Sequence, residues 1–275
     1  MKKFLVPTDF SDTSKNAARY GVLMAASVPG STIILYNIYS RIAAGSDGTP
    51  LTENESDRKT VLTHALKNLE LELSQLSDVQ IEYVAEEGSS LVESITRYVR
   101  HNNIDIVIMG ITGATRVEQI FMGSNTLNMV HEGVCPVIIV PPNAQFEKIE
   151  NVLFASDFKN VKMSTPIARI KSILDIFKPV LHIVNVDHEH YVEVTEEYKF
   201  ERAKLELMFQ EYNPQFSFIR LYDFLDAINS FASDYKIDLI ITVPRKHGFL
   251  KSLFTTSHTK KLAYHSHIPI AAILE

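Results

Sequence analysis

The feature that most constrains how this 275-residue chain folds is an internal repeat. Residues 3–10 match residues 151–158, and both segments read as a short apolar run followed by a hydroxyl residue, an aspartate and a phenylalanine. Further along the chain, residues 104–108 match residues 237–241. The spacing between matched residues falls from 148 to 133, because the second copy is shorter in its middle. The sequence therefore predicts two copies of one folding unit.

Each copy alternates short apolar segments with longer amphipathic ones. Short segments rich in β-branched residues are typical of strands in a parallel sheet that is covered on both faces. In the first copy these segments are residues 4–6, 33–39, 81–85, 104–109 and 137–140. We therefore predict an α/β protein of two tandem five-stranded parallel-sheet domains with helices on both faces. Their boundaries are residues 1–143 and 148–275, separated where Pro-Pro-Asn interrupts regular structure.

The amphipathic segments predict the helices of the first copy. Apolar residues recur at spacings of three and four, and they place helices at residues 13–27, 62–76, 90 onward and about 125–132. Leu76 is expected to close the apolar face of the second helix, and Ser90 with Glu93 forms a candidate capping box for the third. The fourth helix is expected to stop at Gly133. The first strand, first helix and second strand match their counterparts in the second copy without a gap.

Composition narrows the class of protein. A single cysteine excludes a disulfide framework within the chain and a cysteine-based metal cluster, and it favours the cytoplasm. The net charge of −6 argues against charge-driven nucleic-acid binding. No apolar run approaches the roughly 18 residues that cross a bilayer, and the first residues lack the apolar core of a signal peptide. We expect a cytoplasmic protein whose partners are neither nucleic acids nor membranes.

A glycine-rich segment follows the fourth apolar run. Its spacing is G-x2-G-x9-G-S, formed by Gly110, Gly113, Gly123 and Ser124. Glycine at the carboxyl end of a parallel strand lets the backbone approach a ligand closely, and the start of a helix at Gly123-Ser124 offers amides to phosphate. A turn that only reverses the chain is the alternative. The segment is not a P-loop, because it lacks the Gly-Lys-Ser/Thr ending.

Two polar residues at strand ends are further candidates. Asp9 follows the first strand, where its carboxylate can accept hydrogen bonds from a ribose hydroxyl or an exocyclic amine. Its alternative role is to cap the following helix, which Ser11 or Asp12 could do instead. Asn37 recurs as Asn185. That repetition points to a shared structural hydrogen bond at least as strongly as to a ligand contact, so Asn37 is not included in the site.

Taken together, these motifs resemble the universal stress protein family, and specifically its tandem members of the ATP-binding kind. The resemblance covers both halves and implies an adenine nucleotide alpha hydrolase-like, Rossmann-like fold. It implies that ATP is the ligand and that its ribose and phosphates are held by Gly110, Gly113, Gly123, Ser124 and Asn125. It further implies that Asp9 contacts the nucleoside part and that the backbone at about Ile38 contacts adenine.

The second copy departs from the glycine pattern. Its counterparts of the three glycines are Val243, Lys246 and Thr256, and only the serine persists, as Ser257. The β-branched side chains of Val243 and Thr256 occupy space that a nucleotide would need and resist the backbone angles that glycine accepts. We therefore predict that the second copy does not bind ATP.

The resemblance implies a nucleotide-dependent protein of the stress response or of regulation, with ATP bound either alone or with magnesium. Asp9 and Glu118 are the candidates for contacting that ion. A slow ATPase or phosphotransferase on the same site is the alternative function, and an interaction scaffold that needs no nucleotide is the second. No catalytic residue is assigned. The histidine pairs at 188 and 190 and at 265 and 267 lack partners at ligand spacing, so no metal site is assigned either.

The remaining expectations concern assembly and the cysteine. The last strands of the two copies, residues 137–140 and 270–274, are apolar, and the resemblance implies that they can pair across a two-fold interface. Such pairing would make a pseudo-dimer within one chain, and a homodimer of two chains is a further expectation. Cys135 precedes a proline and an apolar run, which indicates a small buried hydrophobic residue rather than a nucleophile.

Overall fold

The computed structural model describes residues 1–40, 55–111, 124–187, 196–220, 224–243 and 268–274. The strands of the first copy are β1 (Lys3–Pro7), β2 (Thr32–Tyr39), β3 (Gln80–Glu87), β4 (Ile106–Gly110) and β5 (Val137–Val140). Its helices are α1 (Asp12–Ala26), α2 (Glu55–Leu73), α3 (Leu91–Asn102) and α4 (Ser124–Glu132). None of the helices in these described ranges combines the length and apolar character needed to cross a bilayer.

The described residues of the second copy give the same order of strands. Its strands are β6 (Asn151–Ala155), β7 (Val180–Asp187), β8 (Gln215–Arg220), β9 (Leu239–Thr242) and β10 (Ile270–Ala272). Its helices are α5 (Val161–Ser164), α6 (Ile167–Phe177), α7 (Glu196–Met208) and α8 (Phe224–Asp234), with a short 3-10 turn at Gln210–Tyr212.

The ten strands of the described ranges form one sheet in the order β3-β2-β1-β4-β5-β10-β9-β6-β7-β8. Within each copy the strands are parallel, and the copies meet through an antiparallel pair in which Ile270 of β10 lies opposite Ile139 of β5. The predicted α/β class with parallel strands is therefore confirmed. The domain boundaries at residues 143 and 148, and the description of the copies as a pseudo-dimer, stay predictions.

Helices cover both faces of the sheet, as the apolar pattern predicts. Successive residues of β1 point to opposite faces, so Phe4 and Val6 pack into one apolar core and Leu5 into another. The first core is shared with α1 and α2, and the second with α3 and α4. The strand β1 pairs with β2 on one side and with β4 on the other. This is the switch point at which open α/β sheets bind ligands.

Two details of the predicted elements are wrong. The helix α2 ends at Leu73, so Leu76 lies beyond it and is 43% exposed, whereas Leu69 and Leu73 are buried in its apolar face together with Leu66. The strand β4 begins at Ile106, two residues later than the apolar run suggested. The delay has a physical cause, because the carboxylate of Asp105 accepts a hydrogen bond of 2.8 Å from the backbone N–H of Lys3.

The same aspartate contact recurs in the second copy. Asp238 accepts a hydrogen bond of 2.9 Å from the backbone N–H of Asn151, just as Asp105 does from Lys3. Each aspartate thereby ties the strand that follows it to the first strand of its copy. The repeated Ile-Asp sequence thus encodes a repeated structural contact.

The two copies match without a gap in sequence from the first strand to the second, but their first helices differ. The helix α1 is continuous, whereas its counterpart is divided into α5 and α6 with Thr165 and Pro166 between them. Proline lacks an N–H and its ring displaces the preceding turn, so a helix cannot continue through it undisturbed. The expectation of one matching helix is therefore wrong for the second copy.

A contact between Gly133 and Leu274 joins the copies beside the β5–β10 pair. Gly133 ends α4 with a φ of 58°, and Leu274 packs so close that a Cβ on this glycine would lie 2.8 Å from it. Within the second copy, Arg169 of α6 donates to the backbone oxygen of the same Leu274 at 3.1 Å. Within the first copy, Asn16 of α1 donates to the backbone oxygen of Pro141, just after β5, at 3.1 Å.

A buried glutamate supports the short helix α5. Glu201 of α7 is 7% exposed, and its carboxylate accepts a hydrogen bond of 2.9 Å from the backbone N–H of Val161 and pairs with Lys204. The N-cap residue Asn160 makes no side-chain cap of its own. The hydrogen bond from Lys204 lowers the pKa of Glu201, burial raises it, the Val161 amide lowers it again, and the result is below the ordinary value.

We predict that Glu201→Gln lowers the free energy of unfolding by about 1–3 kcal/mol at neutral pH, because a buried charged acceptor is lost. A depressed pKa stabilises the fold above the ordinary pKa, and that contribution disappears as the pH falls through the folded value. The difference between wild type and variant should therefore shrink on acidification. Urea denaturation between pH 3 and pH 7 measures it.

The matched control is Glu196→Gln on the same helix. Glu196 pairs with Lys199 at the same i,i+3 spacing, but its side chain is 89% exposed. We expect its substitution to change stability by less than about 0.5 kcal/mol. Equal losses in the two variants, or a loss at Glu201 that does not depend on pH, would contradict the capping role.

Candidate functional site

A cleft of about 400 Å³ opens at the carboxyl ends of β1, β2 and β4 in the first copy. Its size falls in the range of about 300–1,000 Å³ that is usual for small-molecule sites. The turn between β1 and α1, the first residue of α3 and the first turn of α4 complete its lining. The cleft thus lies at the switch point of the sheet.

The structure brings most of the predicted site residues together. The cleft is lined by Asp9, Ile38, Gly110, Ser124 and Asn125. Gly113 and Gly123 lie outside the described residues, as do Glu118 and the two histidine pairs. These five residues come from four segments that are far apart in sequence, and the glycine spacing and the strand ends were the features that pointed to this cleft.

Several lining residues were not predicted from the sequence. They are hydroxyl residues around the start of α1 and α4 and two apolar residues, namely Thr8, Ser11, Thr13, Ser14, Thr126, Leu91 and Met109. The several hydroxyl residues between positions 8 and 14 could have indicated a polar lining in this part of the cleft. Leu91 gave none, because its place in the cleft depends on how α3 packs.

Asp9 is held by the turn that follows β1. Its Oδ1 accepts hydrogen bonds from the backbone N–H of Ser11 at 3.0 Å and from Ser11 Oγ at 2.5 Å. Burial raises the pKa of Asp9, but the hydrogen bonds from Ser11 outweigh it and leave the pKa below its ordinary value. The carboxylate is therefore ionised at neutral pH, with Oδ1 engaged by the chain.

Ser11, and not Asp9, caps the helix α1. Ser11 Oγ accepts a hydrogen bond of 3.3 Å from the backbone N–H of Ser14, and α1 begins at Asp12. The capping alternative for Asp9 is thus wrong. The role of Asp9 within the chain is instead to fix the turn that carries the cap.

The second copy contains the same turn. The hydroxyl of Thr8 accepts a hydrogen bond of 3.1 Å from Phe10 N–H, and that of Ser156 accepts one of 3.2 Å from Phe158 N–H. Both phenylalanines have positive φ, 65° and 52°. Asp157 accepts a hydrogen bond of 3.0 Å from the backbone N–H two residues ahead, as Asp9 does. The repeated aspartate is therefore explained by the turn without a ligand.

Asn37 makes the structural hydrogen bond that its repetition predicted. Its Nδ2 donates to the backbone oxygen of Thr8 at 2.7 Å, and Asn185 Nδ2 donates to the backbone oxygen of Ser156 at 2.9 Å. Each asparagine thereby joins the end of the second strand of its copy to the turn after the first strand.

Gly110 is needed for a reason that the spacing did not reveal. A Cβ at this position would lie 2.5 Å from the backbone oxygen of Thr13, in the first turn of α1. The glycine therefore allows α1 to approach β4, whatever it also allows a ligand to do. In the second copy its counterpart Val243 is 3% exposed, and Val243 and Val161, the counterpart of Thr13, are both part of the apolar core. Hydrocarbon is thus packed where the first copy keeps a glycine.

The first turn of α4 offers polar groups to the cleft. Ser124 and Asn125 are exposed, whereas Thr126 is buried. The first N–H groups of a helix have no partner within the helix and carry partial positive charge, which suits phosphate. Among the lining residues that fall in the described ranges, Asp9 is the one with a formal charge, so it is the described candidate for contact with a magnesium ion.

Other reactive side chains give no second site in the described part of the chain. Cys135 is 8% exposed, and burial raises the pKa of its thiol to about 12, which agrees with its prediction as a buried hydrophobic residue. Within the described ranges no three histidine, cysteine, aspartate or glutamate residues form a cluster that could hold a metal ion.

We predict that Gly110→Ala lowers the free energy of unfolding by about 1–3 kcal/mol, because its Cβ meets the backbone oxygen of Thr13 and forces α1 away from β4. Thermal or urea denaturation without nucleotide measures this loss. Gly88→Ala is the control, since its Cβ would meet a serine hydroxyl that can rotate. If Gly110→Ala is as stable as wild type, the close approach of α1 to β4 at this position is contradicted.

Comparison with known proteins places these features in a family. The family model described as the universal stress protein family matches residues 1–141, more than half of the chain. Two universal stress proteins of Methanocaldococcus jannaschii are similar to this chain. One is 29% identical over 153 residues, which cover 50% of this chain and 94% of that protein. The other is 28% identical over 140 residues, which cover 50% of this chain and 81% of that protein.

A solved structure extends the likeness to both copies. A universal stress protein from Archaeoglobus fulgidus DSM 4304 superposes with a TM-score of 0.68 and covers 99% of this chain and 98% of its own. The two sequences are 18% identical, so this likeness concerns the fold alone.

Proposed function

Since the chain belongs to the universal stress protein family, we propose that it binds one molecule of ATP in the cleft of its first copy. On this proposal it acts in the cytoplasm as a nucleotide-dependent regulatory protein of the stress response. The observation that carries the proposal is the convergence of Asp9, Ile38, Gly110 and the start of α4 on one cleft.

The residues that line the cleft suit the base, the ribose and the phosphates of a nucleotide. Ile38, Leu91 and Met109 offer apolar surface for a base, and Asp9 offers an acceptor for a ribose hydroxyl. The amides at the start of α4, with Ser124 and Asn125, suit the phosphates. A magnesium ion bound to the triphosphate would add positive charge beside Asp9.

The proposal is binding rather than turnover. Phosphoryl transfer needs a metal clamp and a group that orients the attacking nucleophile. Asp9 Oδ1 is already engaged by Ser11, which leaves Oδ2 as the oxygen of that carboxylate available to a ligand or a magnesium ion. An ATPase on the same cleft remains the competing function, and a measurement of bound ATP and released phosphate separates the two.

We predict that each chain binds one ATP and that the bound ATP is recovered intact. The two copies share the aspartate turn, so shared ancestry alone predicts two sites, whereas the packed Val243 of the second copy argues for one. Equilibrium dialysis with ATP labelled on the γ-phosphate counts the sites and detects released phosphate. Saturation near two would contradict the asymmetry, and release of phosphate above that of a Gly123→Val variant would favour the ATPase.

We predict further that Asp9→Asn weakens ATP binding about tenfold to a hundredfold, as expected for one lost charge-assisted hydrogen bond. The substitution keeps an amide oxygen for the turn but replaces Oδ2 with a donor. Titration calorimetry measures the affinity, and thermal denaturation checks that the fold is unchanged.

Asp157→Asn is the matched control, because Asp157 makes the same turn in the second copy. Its affinity for ATP should equal that of wild type. If Asp9→Asn also binds like wild type, Asp9 only fixes the turn and the nucleoside contact lies elsewhere.

A further inference from the structure

The side-chain amide of Asn37 has one atom without a hydrogen-bond partner among the described residues. The residue is 7% exposed and lines the cleft at the end of β2. Its Nδ2 donates to the backbone oxygen of Thr8, but its Oδ1 is buried and has no hydrogen-bond partner among the residues that the structure describes. A buried acceptor without a partner destabilises a protein, and native structures seldom keep one without a reason.

The orientation of this amide is set by the bond to Thr8. A backbone oxygen can only accept, so the group that faces it must be the NH₂ and the free atom must be the oxygen. Asn37 therefore presents a fixed acceptor, and only a donor can satisfy it.

The neighbouring turn cannot supply that donor, because its hydroxyl protons are committed. Ser14 Oγ donates to the backbone oxygen of Ser11, so Thr8 Oγ1 must donate in its contact with Ser14 Oγ. Ser11 Oγ donates to Asp9, so Thr13 Oγ1 must donate in its contact with Ser11 Oγ. In this arrangement each of the four hydroxyl groups directs its one proton at an oxygen of the turn, with Asp9 as a second acceptor for Ser14.

We propose that Asn37 Oδ1 accepts a hydrogen bond from the nucleoside part of the bound nucleotide and thereby determines specificity. The inference rests on the proposed function and deepens it. A triphosphate at neutral pH has no donors, whereas an adenine nucleoside has the 2′-hydroxyl, the 3′-hydroxyl and the 6-amino group. Asn37 Oδ1 and Asp9 Oδ2 are then two acceptors that select a nucleoside rich in donors.

The test is a double-mutant cycle between protein and ligand. Titration calorimetry on the full chain compares ATP with 2′-deoxy-ATP, 3′-deoxy-ATP and purine riboside triphosphate, each of which lacks one donor. We expect wild type to bind at least one analogue about tenfold more weakly than ATP. Asn37→Ala should bind that analogue and ATP equally, because the partner of the missing donor is already gone.

A structural role for Asn37 gives a different result. If the amide only joins β2 to the turn, Asn37→Ala weakens all four nucleotides by the same factor and keeps the wild-type preference, which overturns the proposal. Asn185→Ala removes the equivalent structural bond in the second copy. It should lower the melting temperature by a similar amount and leave nucleotide affinities unchanged.

Two further outcomes are distinguishable. If wild type binds none of the four nucleotides, the proposed function fails at the first titration, before Asn37 is tested, and this inference fails with it. If Asn37→Ala does not fold, a crystal structure of the unaltered chain with ATP decides the matter. A nucleoside donor within about 3.2 Å of Asn37 Oδ1 supports the proposal, and the lack of any donor within about 3.5 Å overturns it.

Discussion

The start of α1 lies so close to β4 that residue 110 has no room for a Cβ. This contact sets the position of the turn between β1 and α1, and that turn carries the cap of the helix, the carboxylate of Asp9 and the hydroxyl groups of the cleft. Moving α1 outward would widen the crevice between β1 and β4 and shift Asp9 from the start of α4. The cleft therefore depends on a packing contact between backbone atoms.

The second copy lacks this close approach of a helix to a glycine. It keeps the aspartate turn and the asparagine that braces it. It has Val243 in place of the glycine, a helix divided at Pro166, and a buried carboxylate from α7 that holds the first fragment. The shared elements maintain the shape of the chain at the strand ends. Among these differences, Val243 is the one at a position that lines the cleft in the first copy.

Much of this could be predicted from the sequence, because it depends on patterns that are local or repeated. The strand segments, the helix that stops at Gly133 and the convergence of Asp9 and Gly110 follow from apolar periodicity and from the rule that parallel strands end at one edge. The contact of Gly110 with Thr13 could not be predicted, since it joins residues far apart in sequence through the packing of a helix. Nor could the choice of Ser11 over Asp9 as the cap, because both residue types suit that position.

The antiparallel contact of β5 with β10 has a consequence for how the molecule faces its surroundings. Parallel strands in each copy place all their carboxyl ends at one edge, and the reversal at the β5–β10 pair turns the edge of the second copy to the opposite side. The two strand-end surfaces therefore look in opposite directions. A molecule that covers the cleft of the first copy would therefore not reach the corresponding surface of the second copy. The chain is in this sense two-sided, because its two strand-end surfaces can be covered independently of each other.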